Sequence, residues 1–99
     1  MRLTQWQAMT IRRGVRRVFG AQASVWLFGS RVDDQCRGGD IDLYIEAPCE
    51  PDQILYLEGQ LYAFLQRSLG EQRIDILVRS MASSPIPIHE EARRKGVRL

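Results

Sequence analysis

The chain is poor in the residues that build thiolate metal centres and disulfide frameworks, with two cysteines and one histidine in 99 residues. Cys36 and Cys49 stand in separate segments, no C-x-x-C pair occurs, and no histidine lies at ligand spacing from either. Neither a zinc site nor a disulfide scaffold is indicated, and reduced thiols imply a cytoplasmic setting. No apolar run approaches the about 18 residues that cross a bilayer, and the N-terminal segment alternates apolar residues with arginines instead of forming a signal-peptide core. A membrane protein is excluded on this reading. The phosphate-binding pattern G-x-x-x-x-G-K-[ST] is missing, so a P-loop nucleotide-binding protein is not supported. Charge of one sign is also lacking: 14 basic against 12 acidic residues leave a net +2, short of a dedicated nucleic-acid binder. Direct nucleic-acid binding is not expected. Internal repeats and low-complexity tracts are absent.

What is present suits one domain over residues 1–99, with 44% hydrophobic residues and burial of roughly 60 to 68% of the unfolded surface. Over residues 4–19, Trp6, Ile11, Val15, Val18 and Phe19 recur at helical spacing, and Gly20 follows as a stop. Arg12, Arg13, Arg16 and Arg17 share the other side. No aromatic is interleaved with them there, so they read as a solvated face. Residues 24–28 form a compact apolar run ended by Gly29, a strand buried on both faces. Ser30 can cap a short helical turn leading into a polar, glycine-containing loop. Residues 40–46 make a second strand. Pro51 suits the first turn of a helix carrying Ile54, Leu57, Leu61, Leu65 and Leu69, with Tyr56 and Tyr62 expected to pack along it. A third strand spans 73–78, a connector 80–87, a last helix 89–95 and a terminal strand 97–99. This order predicts an α/β (α+β) fold: a small mixed sheet of three to four strands with helices packed mainly on one face.

The chemistry concentrates in the middle of the chain. Alternation along a strand puts Asp40, Asp42 and Tyr44 on one side and Ile41, Leu43 and Ile45 on the other, so the aliphatic row makes core and the acidic row faces outward. Carboxylates two residues apart are separated by about 6.6 Å along the strand, close enough to share a pair of divalent ions about 3.5 to 4 Å apart. Asp75 repeats the pattern, facing away from Ile74 and Ile76. Three such groups at one place repel one another and remain ionised only around a cation, and oxygen donors without His or Cys favour Mg²⁺ or Mn²⁺. Gly29-Ser30 adds a phosphate-sized turn beside them. Each piece alone is ordinary, for D-x-D is common and Gly-Ser is a frequent turn. The conjunction of a Gly-Ser turn after a buried strand, D-x-D opening the next strand and an Asp in matching phase on a third is not.

These segments, Phe28-Gly29-Ser30-Arg31, Gly39-Asp40-Ile41-Asp42-Leu43, Arg73-Ile74-Asp75-Ile76-Leu77 and Ile88-His89-Glu90-Glu91-Ala92 through Gly96-Val97, resemble the nucleotidyltransferase superfamily typified by DNA polymerase beta. The likeness is closest to its minimal nucleotidyltransferases, which are of about this length. The resemblance implies a polymerase-beta-like fold and an Mg²⁺-dependent transfer of a nucleotide, AMP from ATP or another NMP from its NTP, with two ions held by Asp40, Asp42 and Asp75. By the same resemblance, Gly29 and Ser30 hold the triphosphate, Arg31 adds a phosphate contact, and Asp75 helps deprotonate the acceptor hydroxyl. It further implies a partner, a HEPN-family toxin modified on a tyrosine, which makes this chain the antitoxin. A non-catalytic module that neutralises the same partner by occlusion is the alternative. His89 reads as a surface or hydrogen-bonded residue, Trp26 as core beneath Gly29, and Asp33 and Asp34 as solvated turn residues.

Overall fold

The computed structural model describes residues 3–29 and 41–99. Helix α1, Gln5–Phe19, begins where Thr4 and Gln7 satisfy each other's backbone N–H groups. The Thr4 hydroxyl accepts from Gln7 N at 3.0 Å, and Gln7 Oε1 accepts from Thr4 N at 2.9 Å. Ala8, Ile11, Val15 and Phe19 line its buried side. Strands β1, Ser24–Phe28, and β2, Ile41–Ala47, follow. A 3-10 turn, Pro51–Gln53, opens into α2, Ile54–Leu69. Strand β3, Ile74–Ser80, then leads to α3, Pro87–Lys95, and the short β4, Val97–Arg98.

Two boundaries differ from the pattern expected of the sequence. Strand β3 runs on to Ser80, whose hydroxyl donates to the Cys49 carbonyl and so fixes the strand's end. Helix α3 begins at Pro87, whose ring presets the first helical φ.

The sheet order is β3-β2-β1-β4. Hairpin partners β1 and β2 are antiparallel, as are β1 and β4, while β2 and β3 are parallel and connected through α2. A parallel pair requires such a crossover, which is why the sheet is mixed. Leu27, Ile41, Leu43 and Ile45 face α1 and α2 and meet Ile11, Val15, Leu61 and Leu65 in the larger core. Helices α1 and α2 approach closely at Gly14, where an added Cβ would come within 2.7 Å of the Phe64 ring. Two of the three α-helices among the described residues thus share one face, as the sequence predicts.

The other face is covered in part by α3. Trp26, Tyr44 and Ala92 form a second buried cluster, flanked by Phe28 and Leu77. Of the row expected to face outward, Tyr44 is 1% exposed under α3, whereas Asp42 is half-buried and Asp75 exposed; Glu46, next in the same phase, is buried as well. Tyr56 and Tyr62 correct another expectation. They are 69% and 45% exposed, because the stripe of Leu57, Leu61 and Leu65 turns them away from the sheet. Among the described residues no helix is long and apolar enough to cross a membrane.

Candidate functional site

Pairing between strands turns the period-2 pattern into rows across the sheet. Phe28 of β1 lies opposite Asp42, and Asp42 lies opposite Asp75. Residues in register on adjacent strands project from the same face, so both carboxylates stand side by side on the face that carries α3. The backbone amide of Ile41 donates to the Arg73 carbonyl at 3.0 Å, which ties the start of β2 to the start of β3 just below the pair.

Gly29 closes the third side. Its φ is +79°, a conformation that L side chains rarely adopt, and a Cβ built there would overlap the Asp42 carboxylate and lie 3.0 Å from Asp42 Cγ. Only glycine lets the chain turn this close to the acid. Of the sequence-predicted site residues, the structure thus brings together Gly29, Asp42 and Asp75. Ser30, Arg31 and Asp40 lie outside the described residues, as do Asp33 and Asp34.

Among the described residues no group of three or more His, Cys, Asp or Glu side chains gathers closely enough to hold a metal ion. The two described acids supply only oxygen donors, with Asp40 two positions upstream in the sequence. A hard, oxygen-only donor set of this kind fits Mg²⁺ and disfavours zinc. Beside Gly29, a cleft of about 290 Å³ opens between the end of β1 and α3, walled by Phe28, Ile88, Ala92 and the stems of Glu91 and Lys95. Its lining is largely apolar, and Lys95 Nζ is held by Glu91 Oε1 at 2.8 Å.

Farther along the same face is an ionic cluster that the sequence pattern had not singled out. Glu46 lies opposite Arg79 and is buried. Its Oε2 accepts from the Tyr44 hydroxyl at 2.8 Å and stands 3.5 Å from Arg79 Nη1 and 3.7 Å from Arg93 Nη1. Tyr44 also packs its ring against Trp26, at 5.4 Å, and His89, at 5.8 Å. Burial, reinforced by the hydrogen bond to the Glu46 carboxylate, pushes the Tyr44 phenol up to about 12. Burial and the nearby Arg79 guanidinium hold His89 below the usual histidine range. His89 Nδ1 accepts the Ile86 N–H at 3.2 Å, so its role at the start of α3 is the hydrogen-bonded one. Glu46 shares the phase of Asp42, and Arg79 that of Asp75. The alternation that found the acids shows this shared face, but neither the register nor the burial that makes them a pair.

The chain matches no known family model, and no curated protein is similar to it.

Proposed function

We propose that the protein is an Mg²⁺-dependent nucleotidyltransferase that moves an NMP, AMP from ATP in the first instance, onto a hydroxyl of a partner protein. The observation that carries this reading is the register pair Asp42 and Asp75 with the Gly29 turn pressed against the Asp42 carboxylate. Asp40, Asp42 and Asp75 would hold the divalent ions, which when bound neutralise phosphate charge and make a nearby hydroxyl more acidic. Gly29 and Ser30 cradle the triphosphate, Arg31 contacts it, and the apolar cleft beside Phe28 takes the nucleoside. Asp75, exposed at the edge strand, accepts the proton of the incoming hydroxyl. The acceptor oxygen bonds to the α-phosphorus as the bond to the bridging oxygen breaks. Pyrophosphate leaves, and the acceptor carries the nucleotide. Positioning and charge placement supply most of the rate, since phosphoryl transfer asks little covalent chemistry of the protein.

The acceptor is a tyrosine of a HEPN-family toxin, the chain acts in the cytoplasm as its antitoxin, and transfer silences the toxin. Incubation with the cognate toxin, MgCl₂ and α-labelled ATP is expected to label the toxin, and Asp42→Asn with Asp75→Asn to abolish labelling while leaving the melting temperature within a few degrees. No transfer from any of the four NTPs refutes the reading. A second reading, neutralisation by occlusion alone, is favoured by the exposed apolar side chains Leu55, Tyr56, Met81, Ile86 and Ile88. Rescue of cells from the toxin by the double Asn variant would establish it.

A further inference from the structure

Charge is distributed unevenly along the chain. From Thr4 to Gly29 there are four arginines and no Asp or Glu. Arg12, Arg13 and Arg16 occupy one stretch of α1, where Arg12 and Arg16 are four residues apart and Arg13 and Arg16 three. Like charges at these spacings are neighbours on the helix surface and destabilise it. Among the described residues, no carboxylate is within ion-pairing distance of any of the three. The fold adds a fourth guanidinium to them. Arg98 of β4, on the far side of a groove of about 420 Å³, is steadied by donation to the Ser24 hydroxyl at 2.9 Å and by its position over the Trp26 ring at 5.5 Å. The floor between is short and apolar, formed by Val15, Ala23 and Val25. Arg17, by contrast, turns away to lie 6.0 Å from the Phe64 ring and takes no part.

Four guanidiniums around one concavity, with no Asp or Glu side chain in its lining, form a receptor for a compact polyanion. Guanidinium forks match phosphate oxygens in pairs, and the groove is of small-molecule size. Its lining has no aromatic side chain on which the bases of a single strand could stack, and it is a pocket and not an extended stripe. We propose that this groove binds a small oligophosphate, of the class formed by nucleoside di- and triphosphates and inorganic polyphosphate, at a site separate from the carboxylates. The groove meets β1 at Ser24 and the acids meet it at Phe28, four steps of about 3.3 Å away along the strand. No metal is required, because the arginines themselves supply the positive charge.

The test is calorimetric titration of the whole chain, in EDTA, with inorganic tripolyphosphate in one arm and ATP in the other. Saturable binding of one equivalent is expected, weakened at least tenfold in Arg12→Gln with Arg16→Gln and in Arg98→Gln, and unchanged in Arg94→Gln, an exposed arginine outside the groove. The tighter arm identifies the source of the phosphate chain. Asp42→Asn with Asp75→Asn is expected to retain the binding, which separates this site from the proposed catalytic one. The proposal is overturned by absence of saturable binding in both arms, by equal loss in Arg94→Gln, by loss in the double Asn variant, or by tenfold tighter binding of a short single-stranded RNA. The substituted arginines are exposed, and circular dichroism melting checks that each variant is folded.

Discussion

Replacing Gly29 by alanine separates backbone strain from damage to the acid pair, because the structure holds a matched control. Gly29 and Gly70 both have positive φ, +79° and +87°, but an added Cβ at Gly70 meets nothing within 4 Å while one at Gly29 overlaps the Asp42 carboxylate. Forcing a side chain into such a backbone conformation costs about 1–3 kcal/mol, which for a domain of this size lowers the melting temperature by roughly 4–20 °C. Both variants should show that loss. Only Gly29→Ala must also rotate Asp42 away from Asp75. In wild type and Gly70→Ala, Mg²⁺ with ATP at 100 times its Kd is expected to stabilise by about 2.7 kcal/mol, and a tenfold weaker affinity in Gly29→Ala reduces this to about 1.4 kcal/mol at the same concentration. Thermal melts with and without Mg²⁺-ATP, made in the Arg12→Gln, Arg16→Gln background to silence the arginine groove, measure both effects. An undiminished ligand shift in Gly29→Ala would refute the assignment of this turn to the nucleotide site.

The ionic cluster supports two further predictions. Glu46→Ala leaves the largely buried Arg79 side chain uncompensated and should cost about 3–5 kcal/mol in urea unfolding, whereas Arg93→Ala, which removes a side chain 60% exposed, should cost under about 1 kcal/mol. The Tyr44 phenol, raised from 10.0 to about 12, stabilises the folded chain below pH 10, and that stability is lost as pH climbs from 10 to 12. The loss amounts to about 2–3 kcal/mol and should vanish in Tyr44→Phe, as urea unfolding across that pH range checks.

The α1 stripe, the β2 alternation and the phase of Asp75 are all legible in the sequence because each is a local periodicity. Register is not local. That Asp42 faces Asp75, and not a residue two positions away, follows from the parallel pairing made possible by the α2 crossover, which no single segment encodes. Glu46 and Arg79 look like solvated strand residues for the same reason: their burial depends on nine residues of α3 arriving from the end of the chain. The exposure of Tyr56 and Tyr62 was readable, since neither lies on the leucine stripe. What an aromatic side chain favours in general gave way to where the helix turns it.

Strand β2 is gripped from both sides, by aliphatic packing against α1 and α2 and by the aromatic and ionic contacts under α3, so its alignment with β3 is held along its whole length. Sliding β2 by one residue would drive Asp42 into oil and lift Ile41 and Leu43 into water, so the strand has one permissible setting. The end of the sheet that carries Asp42 and Asp75 is therefore aimed by packing elsewhere in the fold. Most of what holds that alignment lies below the acids, in the two clusters on either side of the strand.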